Sequence, residues 1–251
     1  EVAAGWRSES ARAIHRHPDA AFFASRILDF ADRGRLYSAG DCFLRAGIGY
    51  RRGQEQRDRE DFHEECEIFS ASGCAALYRG QVLREAGGYD ERFFAYLEDV
   101  ELGLRLQAAG CRGFYVPRAE VYHHGSATSG GEFSPLAVRL RTRNALLLLL
   151  KSMPARIVLG CLPMILLAQL SWLMRATGRG RLIPYFQGMG EACRLVPAML
   201  RARAGLRRHW RGSVPRLRQR ILQSEDLARR DYELPQADKV SLFLTWYFRL
   251  F

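Results

Sequence analysis

The ten residues Tyr96-Leu97-Glu98-Asp99-Val100-Glu101-Leu102-Gly103-Leu104-Arg105 decide how this 251-residue chain is read. Leu97, Leu104 and Ala108 recur at roughly helical spacing, and Val100 completes an apolar stripe that would face a core. That period predicts a helix over residues 97–109, closed by Gly110. Glu98, Asp99 and Glu101 then fall in its first turn, where the helix dipole favours negative charge. Two readings fit the pair Glu98-Asp99. It caps and solvates a helix start, or it presents a carboxylate at a cleft rim as a general base, reached through the aromatic turn Tyr89-Asp90-Glu91-Arg92-Phe93-Phe94.

On the N-terminal side, residues 6–17 suggest an amphipathic helix stopped before His17-Pro18. Residues 20–25 read as a buried strand, and 36–39 and 42–44 as short strands around Gly40-Asp41. The densely charged stretch 51–67 reads as a solvated, mobile loop. Residues 70–78 follow as a small-residue strand, then 80–85 as a helix closed by Gly87-Gly88. After the acidic helix come two short strands, 113–116 and 119–122. This alternation predicts an α/β chain with a mixed sheet. Beyond Ser129-Gly130-Gly131 the texture changes to long helices, which divides the chain into residues 1–131 and 132–251.

A chain of this length buries one good core, or one domain with an appended helical region. Its net charge of +11 is unevenly spread. Up to Gly125 there are 17 basic and 20 acidic residues (−3); from Ser126 onward there are 21 and 7 (+14). Nearly all the basic residues are Arg, with Lys only at 151 and 239. The six cysteines are scattered with no C-x-x-C, and read as small apolar residues in a reducing compartment. No basic-then-apolar leader opens the chain. In the basic half, Leu146 to Leu150 is an unbroken leucine run, and residues 157–174 carry no charge. As a helix that stretch would span ~27 Å, just short of a hydrocarbon core, and Pro163 and Gln169 interrupt it. The expectation is a helix or broken hairpin lying in one leaflet, against a spanning helix or a buried core helix. Arg175, Arg179, Arg181 and the arginines of 201–220 suit an anionic leaflet, and Trp172, Trp210, Trp246 and Tyr247 suit headgroup depth. Nucleic-acid binding is disfavoured, because Arg-rich tails for that purpose lack embedded apolar segments.

Ser72-Gly73-Cys74-Ala75-Ala76-Leu77-Tyr78-Arg79, Gly87-Gly88, Tyr89 to Phe94, Glu98-Asp99, Ala109-Gly110-Cys111, Val116-Pro117 and Val121-Tyr122-His123 follow one another in order. Together they closely resemble the second half of the catalytic domain of bacterial family 2 glycosyltransferases, especially the rhamnosyltransferase-like members that build cell-surface polysaccharides. The resemblance covers residues 1–152, extended by Ser126 and by Arg143-Asn144-Ala145-Leu146 ending in Lys151. It implies a partial GT-A (Rossmann-like) mixed sheet followed by a helical, membrane-associating region. It also implies transfer of a sugar, rhamnose among the candidates, with inversion. The donor would be a nucleotide-sugar and the acceptor lipid-linked or a growing polysaccharide, at the cytoplasmic face of a bacterial inner membrane, with the protein peripheral or monotopic.

By the same resemblance Asp99 is the base, Glu98 supports the helix start or contacts the acceptor, and His123 faces a divalent cation (Mg²⁺ or Mn²⁺) and the diphosphate. From the residues alone, His123 also fits a histidine satisfied by a hydrogen bond at a strand end, while adjacent His124 points the opposite way. Ser72 and Gly73 bring backbone close to substrate or simply pack closely. Tyr89, Phe93, Phe94 and Tyr96 form a sugar platform or fill a core. Tyr96 and Arg105 complete the expected substrate-binding set. The family places a nucleotide-binding half with an Asp-x-Asp motif before this region. Here Asp58-Arg59-Glu60 and Glu65-Cys66-Glu67 have that spacing but follow no apolar strand, and Gly47-x-Gly49 lacks the rest of a phosphate-loop fingerprint. The chain is therefore expected to be the C-terminal portion of a transferase, inactive alone. The competing expectation is a non-catalytic membrane-docking or assembly module that keeps the fold.

Overall fold

The structure, a computed structural model, describes residues 1–125, 130–206, 214–234 and 241–251; Ser126, Arg207, Arg208, Trp210, Arg211 and Lys239 lie outside them. Helix α1 (Trp6–Arg16) stops short of Pro18, whose ring disfavours helix at the preceding residue. Strand β1 (Phe22–Asp29) follows and is buried along nearly its whole length, as a central strand must be. Then come β2 (Leu36–Ser38), β3 (Asp41–Leu44), β4 (Ile48–Arg51), β5 (Cys66–Ile68), β6 (Ala76–Tyr78), α2 (Gly80–Ala86), α3 (Glu98–Ala108) and the long β7 (Gly113–His123). The main sheet runs β2-β1-β7-β5, with β6 also paired to β1. Parallel β7 occupies one edge of β1, so β2 and β6 share the other, β6 beside residues 22–24 and β2 beside 27–28. β3 and β4 form a separate antiparallel hairpin.

Three local expectations are corrected. The two short strands expected near 113–122 are one strand, whose residues 117–119 bulge between the pairs Ser25↔Val116 and Arg26↔Glu120. Pro117 has no N–H to offer the ladder, so a bulge is where it fits. Only residues 76–78 of the expected strand 70–78 are extended in the main sheet; Ser70 bridges to Asp41, and residues 73–74 form a turn at the cleft described below. The charged stretch 51–67 is not simply solvated. Arg52 is 3% exposed and grips Asp231 at 2.6 and 3.3 Å, while Phe62 is fully buried.

Helix α3 is the middle layer. Leu102 and Leu106 face the sheet, packing with Phe22, Leu36 and Tyr115. Val100, Leu104 and Ala108 face the other way, toward Leu147, Leu148, Ile157 and Ile165 of the C-terminal helices. A helix covered on both sides needs no polar face, and residues 100–108 are buried without a break. Gly103 is where α3 meets the chain before β6: a Cβ there would collide with the Ser70 side chain and lie 3.1 Å from the Phe69 carbonyl oxygen.

The C-terminal half is α4 (Pro135–Lys151), α5 (Ala155–Gly160), α6 (Leu162–Gly178), α7 (Leu182–Leu206), α8 (Val214–Glu233) and α9 (Leu242–Leu250). The change at residue 131 is a change of secondary structure, while the core runs on across it. Helix α8 anchors the β3–β4 hairpin: Glu225 accepts from the Arg45 backbone (2.8 Å), from its guanidinium (2.9 and 2.6 Å) and from Tyr247 (2.6 Å), and Ser224 accepts from the Phe43 N–H (2.7 Å). The apolar run 157–174 is split at Cys161, with Pro163 in the first turn of α6. No helix among the described residues is long and apolar enough to cross a membrane. Several groups expected at a lipid surface are used internally. Trp172 donates to Thr142 (2.8 Å), Tyr247 is fully buried, Arg203 donates to the Leu150 and Met153 carbonyls, and Arg220 pairs with Glu67 (2.6 Å).

The buried charge of Glu101 on α3 is neutralised from within α3 and from the end of α4. Glu101, fully buried, accepts from Arg105 (3.0 and 2.9 Å), Ser152 (2.5 Å) and Lys151 (2.7 Å). Lys151 also reaches Asp90 at 2.6 Å. Burial alone would raise the Asp90 pKa, but its bonds to Arg92 and Lys151 hold it well below the usual carboxylate range. Removing one partner of such a network strands the others in the core. Glu101→Ala is therefore expected to lower unfolding stability by about 3–5 kcal/mol in urea titrations. Asp19→Ala, which breaks the surface pair with Arg112, should leave the midpoint almost unmoved.

Candidate active site

A cleft of about 1190 Å³ opens between the β3–β4 hairpin, the N-terminus of α3, and helices α4, α6 and α9. Asp99 stands on its wall. One carboxylate oxygen accepts from the Gly73 N–H (3.0 Å) and the other from the Val100 N–H (2.8 Å). The turn after β5 and the first turn of α3 thus fix the plane of this carboxylate. Gly73 acts through its backbone donor, since a Cβ there would meet only ordinary contacts at 3.8–3.9 Å.

The approach to α3 is strained. Phe94, Tyr96 and Leu97 all have positive φ (61°, 68° and 66°) without being glycine, at about 1–3 kcal/mol each. Asn144, fully buried on α4, holds them there. Its side-chain amide donates to the carbonyls of Phe93 (2.9 Å), Ala95 (2.8 Å) and Tyr96 (2.7 Å). Arg143 locks the Asn144 oxygen (2.9 Å) and itself donates to the Arg92 and Phe93 carbonyls (3.1 and 2.8 Å). Asn144 lies in the Arg143-Asn144 run that extended the family resemblance, but nothing in the run itself points to this clamp.

Glu98 and Asp41 complete a carboxylate group with Asp99. Burial first, and the Asp99 charge second, push Glu98 up to about 7. The same causes in the same order push Asp41 up to about 7, opposed by Arg51 and by the Ser38 hydroxyl 3.2 Å away. Among the described residues, Glu98 Oε2 and the Tyr96 hydroxyl are buried without a partner, groups that a hydroxylated ligand would satisfy. Asp41 was not singled out from the sequence. A lone aspartate after a Gly reads as a turn residue, and its closeness to Asp99 arises only in the folded chain.

The other expected residues divide. Ser72, Gly73, Tyr96, Glu98, Asp99 and His123 all line the cleft. Arg105 does not: it is 7% exposed, and its guanidinium is held by Glu101 and by the Ala86 and Gly88 carbonyls. Its place in the expected substrate-binding set is corrected to a structural one, because an Arg on a buried helix face must be paired internally. Of the aromatic set, Phe93 is core, Phe94 is 76% exposed at the cleft, Tyr96 lines it, and Tyr89 sits edge-on to Tyr78. At the end of β7, His123 meets the Tyr37 ring edge-on (4.5 Å), while His124 stacks on Phe30 (3.7 Å) away from the cleft. Burial, then the Arg51 charge, lowers the His123 pKa. Among the described residues no three of His, Cys, Asp and Glu gather to hold a metal ion. These residues alone therefore do not fit a Mg²⁺ or Mn²⁺ site.

The chain belongs to glycosyl transferase family group 2, whose profile matches residues 11–201 and so reaches well into the helical half. A segment of 59 residues is 49% identical to N-acetylglucosaminyl-diphospho-decaprenol L-rhamnosyltransferase of Mycobacterium tuberculosis, covering 24% of this chain and 19% of that one. Over 76 residues it is 30% identical to rhamnosyltransferase WbbL of Escherichia coli K12, covering 30% of this chain and 29% of the relative. Over 68 residues it is 38% identical to the O-antigen biosynthesis protein RfbC of Myxococcus xanthus, covering 27% and 5%. The matched segments thus span less than a third of each of these relatives' own lengths.

Two measurements follow. Asp41 and Glu98 have folded pKa values above their unfolded ones, so the folded chain holds extra protons between about pH 4 and 7. Stability from this source is complete below about pH 4 and is lost as pH rises toward 7, with a slope of up to about 1.4 kcal/mol per pH unit for each extra proton. Asp41→Asn should flatten that slope in denaturant midpoints taken from pH 5 to 8; an unchanged slope would show that Asp41 titrates normally. Separately, Asn144→Ala should cost about 1–3 kcal/mol and expose residues 93–97 to limited proteolysis before the rest of the chain. Equal protection of that turn in both proteins would count against the clamp.

Proposed function

We propose that this chain forms the acceptor side of the active site of an inverting glycosyltransferase. Asp99 takes the proton from an acceptor hydroxyl as that oxygen bonds to the anomeric carbon of a nucleotide-sugar, and the bond from that carbon to the nucleoside diphosphate breaks. The reading rests on one observation above all: in a chain of this family, Asp99 lies on a large cleft with both carboxylate oxygens oriented by backbone N–H groups. Glu98, protonated near neutrality, would donate a hydrogen bond to the acceptor. A protein serving only as a docking module would have no use for an oriented carboxylate in an open cleft. Rhamnose is the proposed sugar and a lipid-linked or polysaccharide glycan the proposed acceptor, supported by what the similar proteins are named for. A divalent cation, Mg²⁺ or Mn²⁺, belongs to the proposal with His123 as one ligand and its remaining ligands outside the described residues. The donor's nucleotide would likewise be held mainly by sequence other than this.

We place the protein at the cytoplasmic face of the membrane, held peripherally or monotopically. Helix α6 exposes Leu162, Leu166, Leu170 and Met174 at four-residue spacing, and neighbouring α9 exposes Leu242, Trp246 and Leu250 at the same spacing. Apolar stripes of this kind lie flat in an interface rather than crossing it.

The test is Asp99→Asn in a protein with measurable transfer activity. The rate should fall by about 10²- to 10⁴-fold with the melting temperature preserved. A rate within about tenfold of the parent would remove Asp99 as the base.

A further inference from the structure

Arg51, the last residue of β4, and Arg52, which follows it, go different ways. Arg52 turns inward to Asp231, at 2.6 and 3.3 Å. Arg51 turns into the cleft, its guanidinium carbon 4.3 Å from the centre of the Tyr37 ring, which also meets the His123 ring at 4.5 Å. In the hairpin ladder Arg51 stands opposite Asp41, a cross-strand position where opposite charges ordinarily pair. No ion pair forms there. The Asp41 carboxyl accepts from the Ser38 hydroxyl (3.2 Å), and among the described residues the Arg51 guanidinium makes no ion pair and no hydrogen bond. It is half-buried, with five N–H donors that bond to nothing in the protein. Its charge is still felt in the cleft. Burial raises the Tyr37 and Asp41 pKa values and Arg51 opposes the rise, while burial first and Arg51 second lower that of His123.

The other arginines of the cleft stand elsewhere. Arg141 pairs with Glu132 at 2.8 Å and Arg35 with Asp32 at 3.1 Å, while Arg175 and Arg179 lie over Trp172 (5.3 Å) and Phe133 (4.5 Å) on the α6 side. Asp41 feels the charges of both Asp99 and Arg51, so base and guanidinium stand within electrostatic reach of one carboxyl, yet they do not pair with each other. Displacement with inversion needs such a separation: a base where the acceptor oxygen enters, and a positive charge where the leaving oxygen departs. A guanidinium fork matches phosphate oxygens two at a time. We propose that Arg51 is a further catalytic residue, which donates to the diphosphate as it leaves. The acceptor oxygen bonds to the anomeric carbon and gives its proton to Asp99. The bond from that carbon to the diphosphate oxygen breaks, the electron pair stays on that oxygen, and the Arg51 N–H groups meet the charge that results. The Tyr37 ring holds the guanidinium in place. This rests on the glycosyltransferase reading above and assigns the leaving-group side of the same site.

Kinetics and binding test it separately. In a protein with measurable transfer activity, Arg51→Ala should lower kcat by about 10²- to 10³-fold, the scale of losing one preorganised donor to a developing charge. The acceptor KM should stay within about twofold of the parent. Guanidinium ion added to the Arg51→Ala protein should restore part of the lost kcat, and Asp99→Asn should gain nothing from it. Arg51→Lys, which keeps the charge but not the fork, should fall between parent and Arg51→Ala. In the 251-residue chain, calorimetric titration with inorganic diphosphate should show affinity weakened by about tenfold or more in Arg51→Gln, at an unchanged melting temperature. Arg175→Gln/Arg179→Gln should weaken it less. A kcat within about threefold of the parent would overturn the proposal. So would a loss confined to the acceptor KM, which gives Arg51 to the acceptor. Diphosphate affinity that follows the α6 arginines and ignores Arg51, or no affinity in the parent chain, would overturn it too. Each of these failures leaves transfer dependent on Asp99 standing. Conversely, an active Asp99→Asn protein would remove the base and leave the Arg51 results as they are.

Discussion

Glu101 has no exposed surface, so its charge has to be neutralised within the protein. Lys151 does this from the end of α4, where Ser152 adds a hydrogen bond, and Arg105 does it from the next turn of α3. The consequence is a fixed register between α3 and α4. Seven residues earlier, about two helical turns back, Asn144 of the same α4 grips the carbonyls of residues 93–96. Lys151 meanwhile ties down Asp90. One helix therefore brackets the whole segment 90–101, and Glu98 and Asp99 lie inside the bracket. The position of the candidate base is set by α4 as much as by its own helix.

The bracket also explains how a strained turn persists. Three non-glycine residues with positive φ in a span of four would relax if free. Here the carbonyls that they aim inward find the Asn144 and Arg143 donors, and leaving the strained conformation would bury those donors unpaired. The geometry delivers Asp99 to a cleft whose charge is divided. Asp41, Glu98 and Asp99 gather at the α3 and hairpin end, where Arg51 faces them, and Arg141, Arg175 and Arg179 stand at the other end around Glu132. Burial pushes the Glu98 and Asp41 carboxyls up to about 7, so both hold their protons to a higher pH than an exposed carboxylate does.

How much of this was legible depended on whether a feature is local. Helix α3 was, because its apolar period and closing Gly110 are written within a dozen residues. So was the placement of His123 and His124 on opposite sides of the strand, which follows from alternation alone. Arg105 was misplaced because its sequence neighbourhood does not show that the carbonyls of 86 and 88 fold back onto it. The segment 51–67 looked solvated because its partners, Asp231 on α8 and the core around Phe62, lie far away in the chain. Asp41 and the arginines of α6 escaped notice as site residues for the same reason. Their role exists only once the C-terminal helices fold back over the β3–β4 hairpin, a contact that no periodicity announces. The apolar run 157–174 was correctly seen as interrupted, yet which of its residues face the core was settled by tertiary packing.

The two walls of the cleft come from stretches of chain that scarcely share residues. Asp99, Gly73 and their supports lie before residue 105 or on the inner face of α4, whereas Arg175 and the exposed stripe occupy the cleft-facing and outward positions of α6, and Arg179 caps its C-terminal end. The inner face of α6, with Ile165 and Ala168 in the core, is what keeps it in place. A lineage of such proteins could therefore rewrite the outer face of α6 by point substitution while the residues that orient the carboxylate go unaltered. Recognition and bond-making would then be inherited as separable traits, the first free to diversify and the second held still by the bracket.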